Sequence, residues 1–156
     1  HDCVDTLMIA DVDTFPDLCE FPDLTFLWIR NSKFKSVSPD QLECLEKLEV
    51  LKLNYGLLRT FSIGASCPLL RELNLSQNKL DSIVGPFDQL THLRVLKITN
   101  NPVKYADIQQ ILQMKNLTEL SVCGEHGDPP LFTAEQQAEI ARVLSNCTIW
   151  FEPPWP

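Results

Sequence analysis

The residues most suited to chemistry lie in the segment CGEHGDPP, residues 123–130. Glu125, His126 and Asp128 are of the types that act as general acids and bases. A catalytic group of this kind needs positioned partners and a pocket shielded from water. A loop containing two glycines and two prolines favours neither, so we interpret the segment as a solvated loop. We predict that the chain is not an enzyme and that it has no catalytic residues.

The spacing of the other residues gives little support for a metal site, a phosphate-binding loop or a nucleophilic serine. The chain has 3 histidines and 6 cysteines but no CxxC or HExxH motif, and no histidine stands at ligand spacing from a cysteine or carboxylate. It contains no glycine-rich phosphate loop and no G-x-S-x-G motif. We therefore predict no metal site and no cofactor.

Charge and hydropathy restrict the classes of partner. The formal net charge is −8, and 7 acidic residues precede the first basic residue, Arg30. Nucleic acids and anionic membranes attract clustered lysine and arginine, so neither is expected as a partner. No run of about 18 apolar residues occurs, so we predict no membrane insertion. The acidic segment is interpreted as solvated surface, with a patch for a basic partner or a weak calcium site at Asp11 and Asp13 as the alternatives.

An internal repeat organises the chain. Its clearest copy, LLRELNLSQNKL, reads L-x-x-L-x-L-x-x-N-x-L from Leu70 through Leu73, Leu75 and Asn78 to Leu80. We number these eleven places repeat positions 1 to 11. Further copies begin 20 to 27 residues apart, at Val4, Leu24, Leu48, Leu93, Leu117 and Leu144.

The pattern resembles that of the leucine-rich-repeat family, in particular its extracellular animal domains, with about seven turns. The resemblance covers nearly the whole chain and is most specific in the three central copies. At repeat position 9 only Asn78 and Asn101 provide the asparagine that normally bonds to backbone inside each turn. The outer turns are therefore expected to be less regular.

The resemblance implies an α/β solenoid with a curved parallel β-sheet on its concave side and irregular turns and short helices on its convex side. One turn cannot bury its apolar side alone, so stacked turns share one core through repeat positions 1, 4 and 6. We predict a single domain, 1–156. It comprises an N-terminal cap and first turn (1–23), central repeats (24–122), and a last turn with a C-terminal cap (123–156).

Capping signals locate the convex helices. Ser38 with Gln41 and Thr133 with Gln136 match capping boxes, and residues 105–114 carry apolar residues at helical spacing. The returns near residues 63–70 and 83–90 lack such a pattern and are expected to be irregular. Trp150, Phe151 and Trp155 are interpreted as a cover for the open end of the solenoid rather than as a binding site.

The cysteines permit several pairings. Cys3 and Cys19 flank the first turn, and Cys44 and Cys67 precede the next turns at similar offsets, so both pairs are candidate disulfides. Cys67 also fits an apolar position, where it would be a buried free thiol. Cys147 should point inward, whereas Cys123 should point outward, so we do not expect those two to pair. Cys123 is then an exposed thiol or a site for a disulfide-linked dimer.

Three N-x-S/T sequons begin at Asn74, Asn116 and Asn146. Asn116, at the entrance of a strand, is the most accessible candidate for glycosylation, whereas the other two are expected within strands. The sequons, the cysteines and a first residue other than methionine favour a secreted or extracellular protein, with a cytoplasmic location as the alternative.

The side chains that project from the concave sheet are candidate ligand contacts. Successive strand residues alternate between faces, so repeat positions 3 and 5 point outward, joined by positions 2, 7 and 8. The early turns place large amphipathic residues there and the late turns place small polar ones. The predicted protein-binding residues are Phe26, Trp28, Arg30, Val50, Lys52, Asn54, Tyr55, Glu72 and Lys97.

Tryptophan, tyrosine and arginine are enriched at binding hot spots, which favours recognition over simple packing between strands. The resemblance implies a secreted or receptor recognition domain that binds a protein ligand through its concave face, and this face is also a candidate dimer contact. The alternative is an intracellular scaffold or regulatory subunit whose cysteines are reduced and buried.

Overall fold

The computed structural model describes residues 3–153, in which the apolar positions of the repeat become parallel strands. Ten strands are formed within these residues: β1 Thr6–Ala10, β2 Phe26–Arg30, β3 Ser36–Val37, β4 Val50–Asn54, β5 Thr60–Ser62, β6 Glu72–Asn74, β7 Ser82–Val84, β8 Val95–Lys97, β9 Glu119–Ser121 and β10 Thr148–Trp150. Seven of them make one parallel sheet in the order β1-β2-β4-β6-β8-β9-β10. The α/β leucine-rich-repeat solenoid predicted from the repeat is confirmed.

The register of this sheet keeps equal repeat positions side by side. Leu51 pairs with Leu27 on one side and with Leu73 on the other, and Leu73 pairs in turn with Leu96. These residues at repeat position 4 are fully buried, as are the leucines at position 1 of the central turns. The core is therefore one continuous stack of side chains that runs the length of the solenoid.

A second, three-stranded parallel sheet of β3, β5 and β7 lies in the returning segments. Its central residues, Val37, Phe61 and Ile83, pair in register and are buried. The prediction that the returning segment near residues 83–90 is irregular is therefore partly wrong, because Ser82–Val84 is a strand. Two or three residues are too short to show an alternating pattern in the sequence, so only stacking against equivalent turns reveals this sheet.

The capping signals place the helices where expected, although the first is short. Residues Pro39–Leu42 form a 3-10 helix with Gln41 bonded to the backbone of Ser38, and Phe87–Gln89 form another. Helix α1 spans Tyr105–Ile111 and helix α2 spans Ala134–Val143. Thr133 caps α2 by accepting a bond from the Gln136 backbone, which completes the predicted capping box. Neither helix within residues 3–153 is long and apolar enough to cross a membrane.

Each turn after a concave strand is closed by backbone geometry and, in the centre, by an asparagine. Asn78 donates to the carbonyls of Leu53 at 2.6 Å and Leu75 at 2.9 Å, while its Oδ1 accepts from the backbone of Leu58. Asn101 makes the equivalent bonds one turn later. The residue just before repeat position 9 has a positive φ in five turns, at Asp11, Asn31, Tyr55, Gln77 and Asn100.

The predicted disulfide pairing is wrong. The bond joins Cys19 to Cys44, whose Cα atoms are 5.1 Å apart, and Cys3 and Cys67 are free. Cys67 occupies a fully buried core position, as the alternative interpretation allowed, and Cys44 is bonded to Cys19 instead. Cys3 is exposed and donates its S–H to Asp23, which also pairs with Lys47.

We expect the Cys19–Cys44 bond to stabilise the fold measurably. The two cysteines are 25 residues apart in the sequence. For a loop of that length, the entropy that the bond removes from the unfolded chain predicts a stabilisation of about 3–4 kcal/mol. The double substitution Cys19→Ser/Cys44→Ser should lower the free energy of unfolding in urea by that amount. Cys3→Ser, which removes an exposed free thiol, is the control. Equal stability of the double variant and the wild type would contradict the pairing.

Aromatic side chains close the C-terminal end. Phe132 is buried and makes edge-to-face contacts with Tyr105, at 6.5 Å between centroids, and with Phe151, at 6.3 Å. Phe151 therefore packs on the core, consistent with its interpretation as part of a cover. Trp150 instead keeps 39% of its surface exposed, and Trp155 lies outside the described residues.

Candidate functional site

The concave sheet arranges the predicted contact residues in two rows. Phe26, Val50 and Glu72 stand side by side at repeat position 3. At repeat position 5, Trp28 is followed by Lys52, Asn74 and Lys97 on successive strands. The structure therefore brings most of the predicted residues onto one continuous surface.

Two cation–aromatic contacts join the residues of the early strands. The Nζ of Lys52 lies 5.6 Å from the ring centroid of Phe26, and the guanidinium of Arg30 lies 5.6 Å from that of Trp28. Both distances are within the range of about 6 Å for such attraction. We call Phe26, Trp28, Arg30 and Lys52 the aromatic–basic patch. These contacts hold both rings and both cations in one ordered group.

Asn54 lies under this patch rather than on its surface, which corrects its assignment as an exposed contact. It is only 9% exposed, and its Oδ1 accepts a 2.7 Å hydrogen bond from the indole Nε1 of Trp28. The bond fixes the orientation of the indole. Trp28 is itself half-buried, so it contributes both to the surface and to the stability of the sheet.

Charges along the concave face are mostly neutralised by neighbours. Lys52 pairs with Glu72 at 3.5 Å and Lys97 with Glu119 at 3.6 Å, each across adjacent strands. Arg30 is exposed and makes no ion pair within residues 3–153. It therefore leaves an unpaired positive charge on a protein that is acidic overall.

A hollow of about 260 Å³ lies beside this charge. It is lined by Met8, Ile9 and Ala10 of β1 together with Trp28 and Arg30 of β2. Met8 is 63% exposed, and Tyr55, at the other side of the patch, is 55% exposed. The early strands thus combine apolar surface, a recess and one free guanidinium.

The late strands hold a larger pocket, of about 530 Å³, that the sequence did not indicate. Its floor is formed by concave residues of the strands β8 and β9 and the turns after them, and its walls by Trp150 and residues that follow the last strands. The lining residues are Gln77, Lys97, Thr99, Asn100, Glu119, Ser121, Cys123, Gly124, His126, Trp150 and Pro153. We call this the late-strand pocket.

Sequence reasoning missed this pocket because it assigned Trp150 to the end cover. The register pairs Trp150 with Ser121, so the indole stands at repeat position 5, on the concave face. Counting from Leu144 gives Trp150 repeat position 7 and Ile149 position 6, whereas Ile149 pairs with Leu120 at position 4, so the predicted register of the last copy is wrong by two residues. A shift of two residues keeps each side chain on the same face, so the outward orientation of Trp150 could still be predicted. The late half of the face is therefore not simply small and polar.

Two further features of the pocket lining concern polar groups. Among residues 3–153, Asn100 Oδ1 is buried and finds no hydrogen-bond partner, an arrangement that costs about 1–3 kcal/mol. Cys123 is 2% exposed, with its Sγ 3.4 Å from Thr99 Oγ1. The prediction that Cys123 is an exposed thiol available for a disulfide-linked dimer is therefore wrong, because the chain packs around it at the end of β9.

The acid and base groups of the 123–130 loop remain exposed. Glu125, His126 and Asp128 all lie at the surface, beside a hollow of about 400 Å³ that the loop forms with Phe151 and Pro153. General acid–base catalysis requires positioned groups in a site that limits water. This loop lacks both features.

Two of the other free cysteines, Cys67 and Cys147, are poorly reactive. Burial raises the pKa of the Cys67 thiol to about 11. Burial, with a smaller effect from Glu119, raises the pKa of Cys147 to about 11 as well. Since the thiolate is the reactive form, both should stay protonated and inert at neutral pH.

The sequons differ in accessibility. Asn116 and Asn146 are exposed, whereas Asn74 is half-buried in β6 and its Oδ1 accepts from the Ser76 backbone. Asn146 lies in the turn between α2 and β10, so its expected place within a strand is wrong. Asn74 is the least suitable acceptor, because a glycan there would stand on the concave sheet.

Comparison with known proteins agrees with the repeat architecture. The family model described as leucine rich repeat matches residues 22–80. The chain is 31% identical over 137 residues to Toll-like receptor 2 of Canis lupus familiaris, an alignment that covers 84% of this chain and 16% of that protein. It is 27% identical over 129 residues to leucine-rich repeat-containing G-protein coupled receptor 5 of Rattus norvegicus, covering 76% of this chain and 14% of that protein.

Solved structures show the same fold. A leucine-rich-repeat protein of Leptospira interrogans superposes with a TM-score of 0.70 at 24% identity, covering 89% of this chain and 34% of its own. An internalin of Listeria monocytogenes gives a TM-score of 0.57 at 17% identity, covering 96% of this chain and 47% of its own. Both of these relatives are receptors, which supports the interpretation of this chain as a protein-recognition domain.

Proposed function

Since this chain belongs to the leucine-rich-repeat family, we propose that it is a non-enzymatic recognition domain whose concave sheet binds a protein ligand. The ligand contacts are centred on the aromatic–basic patch and extend to Val50, Tyr55, Glu72 and Lys97. The domain acts outside the cell, within a secreted protein or a receptor ectodomain. The fold alone does not choose a function, so the proposal depends on the chemistry of this surface.

The proposal rests on the unpaired positive charge of Arg30. The guanidinium of Arg30 lies over the Trp28 ring, 5.6 Å from its centroid, and a guanidinium in such a contact can still direct its N–H donors at a carboxylate. Tryptophan and arginine that meet in this way beside a recess are typical of binding hot spots. The matching ligand group is an acidic side chain next to apolar surface.

Charge reversal at Arg30 should weaken binding about tenfold or more, because it replaces attraction for a carboxylate with repulsion. The ligand would be captured on the immobilised domain from extracellular fluid of the producing organism, purified, and titrated against Arg30→Glu. Lys79→Glu, an equal charge change outside the concave sheet, is the control. Equal affinities for Arg30→Glu and the wild type would contradict the proposal.

Substituting Arg30 tests ligand binding more specifically than substituting Trp28 does. Truncating Trp28 leaves the Oδ1 of Asn54 without its donor beneath the surface, so Trp28→Ala would alter stability as well as binding. Arg30 has no partner of this kind to disturb. Arg30→Glu removes its contact with the Trp28 ring, worth about 0.5–1 kcal/mol at an exposed site, so a loss of affinity with only a small change in the thermal midpoint is expected.

The Cys19–Cys44 bond supports an extracellular site of action, because disulfides persist in oxidising compartments. Intact-mass analysis of the native protein after denaturing alkylation should show 4 modified cysteines without reductant, since 6 cysteines less 2 in the bond leave 4. After reduction, all 6 should react. Six reactive cysteines without reductant, and no glycan mass, would favour the intracellular scaffold instead.

Glycosylation at Asn116 is part of the same proposal. The side chain is exposed and lies before β9 rather than on the concave face, so a glycan there would leave the ligand surface open. The exposed Asn146 is a second candidate. Neither modification blocks the aromatic–basic patch.

A further inference from the structure

We propose that the late-strand pocket receives an uncharged apolar side chain of the same ligand whose acidic group meets Arg30. The inference rests on the proposed function and specifies the ligand further. It describes an extended segment of protein that carries two determinants, one for each end of the concave sheet.

The charge balance of the pocket favours an uncharged occupant. Its lysine, Lys97, and its glutamate, Glu119, already neutralise each other at 3.6 Å. Most of its surface is apolar, with the indole of Trp150 as one wall. A charged side chain would lose its hydration there without gaining a partner, whereas an apolar one would bury surface at both faces.

Size and position favour a side chain of the ligand. A volume of about 530 Å³ lies within the range of pockets that bury small molecules, about 300–1,000 Å³, so it has room for a large apolar side chain. Lys97 and Ser121 belong to the same row as Trp28, so the pocket faces the same side of the sheet as the aromatic–basic patch. One ligand lying across the strands would contact both.

The sheet geometry sets the spacing of the two determinants. Trp28 is three strands from Lys97 and four from Ser121 in the sheet order. At about 4.8 Å per strand interval, the determinants lie roughly 14–19 Å apart. An extended chain advances about 3.3 Å per residue, so they are separated by about four to six residues.

The surface between the two sites suits an extended backbone. Asn74, Ser76 and Gln77 are half-buried polar residues at or just beyond the end of β6. Their amide and hydroxyl groups are able to bond to the N–H and C=O groups of a crossing strand.

Selection from a library of random twelve-residue peptides displayed on phage tests this arrangement. The wild-type domain should enrich peptides with an acidic residue and a large apolar residue about four to six positions apart. Arg30→Glu should lose the acidic preference and keep the apolar one. Trp150→Ala should do the reverse.

A synthetic peptide from the selection then gives affinities. Trp150→Ala removes a pocket wall and Ser121→Phe fills the floor, and each should weaken binding about tenfold. Leu57→Ala removes a comparably exposed apolar side chain outside the sheet, 44% exposed against 39% for Trp150, and should leave the affinity unchanged. Thermal unfolding of each variant confirms that it is folded.

The possible failures are distinct. If Trp150→Ala and Ser121→Phe bind like the wild type while Arg30→Glu does not, the pocket inference is overturned and the proposed function stands. If selected peptides carry no apolar residue at the expected spacing, the inference is overturned as well. If Arg30→Glu also selects and binds as the wild type does, both proposals fail.

Discussion

Replacing Leu73 with alanine is expected to lower the free energy of unfolding by about 2–5 kcal/mol, as large-to-small changes in a packed core do. Leu73 has no exposed surface and lies in β6, between Leu51 and Leu96 of the adjacent strands. The cavity would interrupt the stack midway, where each turn contacts only its neighbours. Urea unfolding monitored by circular dichroism measures the loss.

Leu69→Ala is the matched control, because the same side chain at that position is 41% exposed. Its expected effect is within about 0.5 kcal/mol, as for most surface substitutions. If the two variants lost equal stability, the assignment of repeat positions 1, 4 and 6 to the core would be wrong.

Asn78→Ala is expected to destabilise the fold by about 2–4 kcal/mol, although it removes only one polar side chain. The substitution would leave the buried backbone N–H of Leu58 and the carbonyl of Leu53 without the bonds that Asn78 makes, while the carbonyl of Leu75 keeps its bond from Asn101. Each such group costs about 1–3 kcal/mol. Partial access of water to the opened turn should reduce the sum to the range given.

Asn116→Ala, in protein made without glycosylation, provides the comparison. Asn116 is exposed and makes one hydrogen bond, to the carbonyl of Thr91 at 3.2 Å. Its loss should be small by the same urea assay. A small effect at Asn78 would mean that the central turns are closed by backbone geometry alone.

The large sheet was predictable because its information is local and repeated. Inward residues such as Leu27, Leu51 and Leu73 recur at one spacing, so a single assignment of the register orients every strand. The second sheet was not predictable, because β3, β5 and β7 have only two or three residues each. Its strands are defined by their neighbours rather than by their own pattern.

The disulfide illustrates a different limit. Similar offsets from the next leucine made Cys44 and Cys67 look equivalent, yet Cys67 takes a core position and Cys44 does not. Moving a cysteine by one residue along the chain changes the direction of its side chain. Offsets from the next leucine that agree only to within one residue therefore do not determine which cysteines pair. The late-strand pocket was missed for a different reason, because Trp150 was assigned to the end cover although it lies on the last strand of the concave sheet.

The position of the Cys19–Cys44 bond also determines the order in which the solenoid opens. Because the bond links the first two turns covalently, the N-terminal end resists fraying, while the C-terminal turns are held by packing and hydrogen bonds alone. Amide exchange should therefore be faster in β9 and β10 than in β2 and β4. The late-strand pocket would then release the apolar side chain of the ligand while Arg30 still bound the acidic one. The ligand would therefore dissociate from one end first.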